Sequence, residues 1–166
     1  QANGINSIGL TGADINYMRS DKRKPNPIDY GFVGDVKEVN TDILADLIAR
    51  GIVPVLSPIT HDGKGNLLNT NADTIAQEAA VALAKRFDVS LIYCFEKDGV
   101  LKDENDDSSV IPLITKSDFE AYKADGTISG GMIPKLDNAF TAISKGVKEV
   151  VITSANHILS GSTKIK

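Results

Sequence analysis

Apolar and polar positions change their period several times along the chain, and each change marks an element. Ile5 to Leu10 is a short apolar run closed by Thr11-Gly12, which predicts a strand entering a loop. Pro25 and Pro27 break the stretch Asp21 to Asp29 into a turn or excursion. Phe32 to Val39 alternates, as an edge strand or one arm of a hairpin does. Asn40-Thr41-Asp42 offers N-cap chemistry, Ile43, Leu44, Leu47 and Ile48 follow at helical spacing, and Gly51 stops the helix. Ile52 to Ile59 and Val89 to Phe95 are nearly continuously apolar, which predicts parallel strands buried on both faces. Between them lie a polar turn, Thr60 to Asn66, and an Ala-rich helical stretch, Asp73 to Phe87. Lys102 to Ser109 is an acidic loop and Val110 to Ile114 a short apolar stretch. Ser117 to Ala124 predicts a capped helix with Asp118 and Glu120 in its first turn. A last helix opens at Gly130 or Gly131 and runs to about Lys145; Gly146 ends it before a third buried strand, Val147 to Thr153.

Strands alternating with helices predict an α/β fold with a mainly parallel sheet, here as a single domain over residues 1–166. Ligands bind such sheets beyond the carboxyl ends of the strands. A chain of 166 residues, 42% hydrophobic and 24% charged, can bury one core of ordinary composition. A net charge of -4 argues against a partner made of duplex nucleic acid. The basic cluster Arg19, Lys22, Arg23 and Lys24 reads as a solvated loop. No apolar run is long enough to cross a bilayer, and Gln1-Ala2-Asn3-Gly4 lacks the character of a signal peptide. The single cysteine, Cys94, fits a reducing cytoplasm and reads as a buried strand thiol. His61 and His157 lie far apart without a Cys or carboxylate cluster, so neither is expected to bind a metal.

Three loops carry candidate chemistry. Asn69-Thr70-Asn71-Ala72-Asp73 leads into the Ala-rich helix; Asn69 and Asp73 share a face if that helix starts early, and Asn71 or Asp73 alternatively caps it. Phe95-Glu96-Lys97-Asp98-Gly99-Val100-Leu101 follows a strand and could border a base or ribose, or be a plain turn. Asp125 to Lys135 places Gly130-Gly131 before a helix, where backbone can approach a ligand and free N–H groups favour phosphate. Pro134 is tolerated in a first turn, and Lys135 lies about one turn from those N–H groups. A flexible connector followed by a surface lysine reads equally well. The spacing is not that of a Walker A loop.

Taken in order, these loops resemble the C-terminal two-thirds of the N-acetyl-L-glutamate kinases of the amino acid kinase superfamily. The resemblance runs through Gly9-Leu10-Thr11-Gly12, Gly31 to Val36, Val53 to Ile59, Asn69 to Asp73, Asp98 to Leu101 and Gly126 to Lys135. It implies a three-layer α/β/α fold and ATP-dependent phosphorylation of the γ-carboxylate of N-acetyl- or N-succinyl-L-glutamate in arginine biosynthesis. Lys135 and Asp73 would be catalytic, Lys135 stabilising the transition state on the nucleotide side and Asp73 orienting the lysines. Asn69 and Asn71 would meet the amino-acid substrate. Glu96, Lys97, Asp98, Gly99, Val100, Leu101, Thr127, Ile128, Ser129, Gly130 and Gly131 would border the nucleotide. Magnesium would bridge the phosphates with few protein ligands, and the full-length protein would be a cytoplasmic homo-oligomer. Another superfamily acceptor (aspartate, or glutamate in a 5-kinase) and a non-catalytic nucleotide-binding module are the alternatives.

Two features depart from the family pattern. Phe95-Glu96-Lys97 stands where the family usually has Thr/Ser-Asp-Val. The family's first-strand lysine, its glycine pair and a substrate-binding arginine have no counterpart here, whereas Gly161-Ser162-Thr163-Lys164-Ile165 resembles the family's ending, which predicts that the true C-terminus is present. The isolated 166-residue chain is therefore expected to show no ATP-dependent acylglutamyl phosphate formation, and measurable turnover in a coupled ADP assay would contradict this.

Overall fold

Ser7–Leu10 (β1) pairs in parallel with Val53–Leu56 (β4), in register from Ser7 opposite Val53 to Leu10 opposite Leu56. The computed structural model describes residues 2–158 and 162–166. It forms two compact units, Gln1–Leu83 and Ala84–Lys166. In the first unit, Leu10 and Leu56 turn into a core with Tyr17, Met18, Leu44, Ile75 and Ala79, while Val53 and Val55 are 48% and 57% exposed. The expectation that Ile52 to Ile59 is one strand buried on both faces is thus corrected: β4 ends at Leu56, and only one of its faces meets a core.

The second sheet of this unit runs Gly34–Val39 (β3), Met18–Lys22 (β2), Ile59–His61 (β5), Leu67–Asn69 (β6). Its edge strand β3 is the one the alternation predicts; β2 is not, because Met-Arg-Ser-Asp-Lys carries little apolar signal. The basic cluster begins on this strand instead of forming a loop. Arg19 pairs with Glu38 at 3.2 Å and Arg23 with Asp35 at 2.5 Å, and Lys22 stands over the Phe32 ring. Being exposed, these pairs set register more than they add stability. Helix Asp42–Ala49 (α1) follows the Asn40 side chain, which accepts the Asp42 N–H at 3.1 Å, and Gly51 turns the chain at φ 71°. The Ala-rich helix (α2) is Ala72–Leu83, shorter at its C-terminal end than its composition suggests.

In the second unit the sheet order is Ser90–Phe95 (β7), Glu149–Ser154 (β9), Thr163–Ile165 (β10), Leu113–Ile114 (β8). The β7–β9 and β8–β10 pairs are parallel, and β9–β10 is antiparallel. Central β9 is buried from Val150 to Ser154, as expected of its apolar run. Strand β7 alternates instead: Leu91 and Tyr93 are buried, Ile92 and Cys94 exposed. The buried-thiol reading of Cys94 is corrected accordingly, since position 94 falls on the outward face of a period-2 strand. Helix Lys116–Ala124 (α3) starts from a capping box between Thr115 and Asp118. Helix Met132–Ser144 (α4) buries Leu136, Ala139 and Ala142 and packs on β9, β10 and α3. The α/β class with mainly parallel pairing stands as predicted. Among the described residues no helix is long and apolar enough to cross a membrane.

Gly34 begins β3 where a Cβ would lie 2.9 Å from Leu68 Cβ, Thr60 Oγ1 and Thr70 Oγ1. Thr70 Oγ1 also bonds Thr60 Oγ1 at 3.0 Å and donates to the Gly34 carbonyl at 3.3 Å. Gly34→Ala is expected to cost about 1–3 kcal/mol by overpacking this polar knot, read as a lowered midpoint in urea at unchanged slope.

Candidate functional site

Strand β7 ends at Phe95, and the chain turns inward through Gly99, Val100 and Leu101, all buried. Thr163 of β10 fixes this turn. Its Oγ1 accepts the Val100 N–H at 2.8 Å and donates to the Ile111 carbonyl at 2.6 Å. A Cβ on Gly99 would lie 2.6 Å from Thr163 Oγ1 and 2.8 Å from Val110 Cγ1, so the glycine makes room for that hydroxyl. Beyond it, Leu101 bridges Val110 in antiparallel fashion and turns the acidic loop into a hairpin tip. Ser109 Oγ knits the tip by donating to the Asp106 and Asp103 carbonyls at 2.6 and 3.0 Å.

Facing this turn is the segment after α3. Asp125 accepts the Thr127 N–H at 2.9 Å, and the Ile128 N–H donates to the Tyr122 carbonyl at 2.9 Å, which leaves Ile128 2% exposed. The two segments enclose a cavity of about 290 Å³ lined by Phe95, Lys97, Gly99, Val100, Leu101, Glu104, Thr127, Ile128, Ser129 and Met132. Its walls are mainly apolar, with a few polar groups at the rim, the usual build of a small-molecule site. At that rim Lys97 pairs with Asp107 at 2.5 Å, and the Asp107 carboxylate raises the Lys97 pKa.

Helix α4 begins beside the cavity. Gly130 sits at φ 53°, a left-handed conformation that disfavours a side chain, and Gly131 is the N-cap. Pro134 falls in the first turn, as expected, and Lys135 follows it. Long helical side chains point back toward the N-terminus. The Lys135 Nζ lies 3.2 Å from the centroid of the Phe95 ring.

Of the residues the sequence nominates, the structure brings Lys97, Gly99, Val100, Leu101, Thr127, Ile128 and Ser129 into one cavity lining. Glu96, Asp98, Gly130 and Gly131 stand outside that lining. Asp98 instead bonds His157 Nδ1 at 2.7 Å, and His157 Nδ1 also meets Ser154 Oγ at 3.2 Å. The bonds from Ser154 and His157 hold the Asp98 carboxyl below the usual carboxylate range. Both contacts use the same ring nitrogen, so the trio ties two strand ends together and does not form a Ser-His-Asp proton relay. In the first unit, Asn69 ends β6 and is exposed, and its N–H donates to the Phe32 carbonyl. It therefore does not share a helix face with Asp73, because α2 starts only at Ala72. Asn71 Oδ1 accepts the Thr74 N–H at 3.1 Å, the capping role weighed for it. Asp73 lies half-buried in the first turn. The residues expected to border the nucleotide did not include Phe95, Glu104, Met132 or Thr163, although Phe95 opens the second candidate loop and Met132 falls within the third. The period of β7 was the available signal for Phe95, since Leu91, Tyr93 and Phe95 fall on one face. Gly161 of the C-terminal resemblance lies outside the described residues.

The sequence model of the Amino acid kinase family matches residues 1–154. The chain belongs to the amino acid kinase family. Curated relatives include the acetylglutamate kinases of Bacteroides thetaiotaomicron, 64% identical over all of this chain and 65% of that protein, and of Parabacteroides distasonis, 65% identical over 97% of this chain and 63% of that protein. The chain thus spans just under two thirds of the length of these relatives. Among solved structures, smu.665 from Streptococcus mutans UA159 superposes over 99% of this chain and 62% of its own, with a TM-score of 0.81 at 29% identity. Giardia carbamate kinase shares the fold alone, with a TM-score of 0.67 at 16% identity over 99% of this chain and 64% of its own.

Within this amino acid kinase family chain, the Thr163 hydroxyl is the buried support of the cavity turn. Thr163→Val keeps the shape but strands the Val100 N–H and the Ile111 carbonyl. It is expected to destabilise the protein by about 1–3 kcal/mol, measured by urea unfolding.

Proposed function

We propose that this chain is the C-terminal, nucleotide-side part of a kinase that transfers the γ-phosphoryl group of ATP to the γ-carboxylate of an N-acylglutamate, acetyl or succinyl, in arginine biosynthesis. The carrying observation is the apolar cavity with Lys135 beside it at the start of α4. The acetylglutamate kinase relatives, similar over nearly the whole chain, support the choice of acceptor.

A base fits between the walls of Val100, Leu101 and Ile128, while Lys97, Glu104, Thr127 and Ser129 offer polar groups to a ribose or to exocyclic nitrogens. The phosphates then run toward Gly130, Gly131 and the N-terminus of α4, where the helix dipole favours negative charge. In the transfer, a carboxylate oxygen of the acceptor forms the new bond to the γ-phosphorus. The bond to the β,γ-bridging oxygen breaks, and ADP leaves with the electron pair. Lys135 neutralises charge on the moving phosphoryl oxygens, a contact stronger in the transition state than before it. Glu104 is the carboxylate in the cavity lining, and Asp107 beyond it is already paired with Lys97. Glu104 would be the residue of this lining to meet a magnesium ion carried in on the phosphates, which would supply further charge neutralisation. Asn69, Asn71 and Asp73 are assigned to the acceptor side and Glu96 and Asp98 to the border of the nucleotide, with Asp98 acting through its tie to His157.

Lys135→Ala in the intact protein is expected to lower kcat about a hundredfold or more while nucleotide affinity changes far less. Steady-state kinetics beside calorimetric titration with ATP measure the two quantities. Near-normal kcat would overturn the catalytic assignment and favour a binding module.

A further inference from the structure

Phe95 closes β7, and the structure gives it a specific place. Phe95 contributes to the cavity wall and lies under the Lys135 ammonium, 3.2 Å from ring centroid to Nζ. The ring is itself held. Tyr93, two residues back on the same face of β7 and 7% exposed, stacks on it at 6.2 Å with the planes 20° apart.

An ammonium can be held in place by a carboxylate or by an aromatic face, and the two differ in what they leave behind. A carboxylate neutralises the charge and competes with an incoming phosphate. A ring attracts the cation through its quadrupole and supplies no countercharge. It occupies one side of the ammonium, so the remaining N–H groups stay directed at an anion. A free lysine side chain spreads over many rotamers, and confining it before the substrate arrives removes that entropy from the barrier.

We propose that Phe95 is a positioning residue. Buttressed by Tyr93, it holds the Lys135 ammonium beside the nucleotide cavity with its full charge available for the transferring phosphoryl group. This rests on the reading of Lys135 as the nucleotide-side catalytic lysine. The proposal separates Phe95 from an ordinary cavity wall: a wall residue acts on nucleotide affinity, a positioning residue on the rate of the step.

The test uses the intact protein and four variants: Phe95→Leu, Phe95→Tyr, Lys135→Ala and the double variant Phe95→Leu/Lys135→Ala. Leucine keeps an apolar wall and removes the quadrupole; tyrosine keeps the ring. Phe95→Leu is expected to lower kcat about tenfold, with KM for ATP within about twofold of the parent. Phe95→Tyr should restore most of the rate, and Phe95→Leu should cost nothing further in the Lys135→Ala background. An independent readout is the Lys135 ε-methylene resonance, shifted upfield by the ring in the parent and in Phe95→Tyr and unshifted in Phe95→Leu. Parent-like kcat in Phe95→Leu alongside an impaired Lys135→Ala would overturn the proposal and leave the kinase reading standing. So would a change confined to KM for ATP, or an ε-methylene shift that Phe95→Leu does not alter. Normal turnover in Lys135→Ala would instead remove the reading on which the proposal rests.

Discussion

Thr163 Oγ1 sits between the Val100 N–H and the Ile111 carbonyl, and the cavity depends on that hydroxyl being there. A buried backbone N–H without a partner costs on the order of a hydrogen bond, so the turn after β7 holds its shape only while β10 supplies the acceptor. Gly99 follows from the same constraint. Its missing side chain is space taken by Thr163 and Val110, not space reserved for a ligand. Once Val100 and Leu101 are fixed, the Leu101–Val110 bridge sets the base of the acidic hairpin, and the Lys97–Asp107 pair closes its tip at the cavity rim.

The opposite side of the cavity rests on a different device. Helix α3 is started by the Thr115–Asp118 capping box, and its final turn offers the Tyr122 carbonyl to Ile128. The chain is thereby anchored just before Gly130, whose left-handed backbone sends it into α4. Phe95 then links the two sides, because it ends β7 and carries Lys135 of α4 on its face. Strand, helix start and lysine thus meet at one ring.

Much of the second unit was legible in the sequence because its signals are strong: an apolar run at β9, a helical period with a glycine stop in α4, and a capped start for α3. The loops that enclose the cavity were legible by resemblance, and seven of the residues it nominated do line one space. What escaped had physical reasons. Strand β2 buries only Met18 and Ser20 between exposed charged positions, so one apolar residue in five leaves no hydrophobic period to read. Strand β10 has three residues, too few for any pattern. Strands β4 and β7 look buried on both faces by composition, yet Val53, Val55 and Ile92 are exposed, and Cys94 with them. Apolar content does not say which face meets a core. Thr163, a polar residue in a short terminal segment, carried no sign that it would support a turn some sixty positions earlier.

The central claim is that the space between the Phe95–Leu101 turn and the Thr127–Met132 segment receives the nucleotide. Hydrogen exchange of the intact protein with and without a non-hydrolysable ATP analogue and magnesium tests it most directly. The account predicts slowed exchange at the amides of residues 97–101 and 127–132 on binding. Binding of the analogue with unchanged exchange in both segments would contradict it.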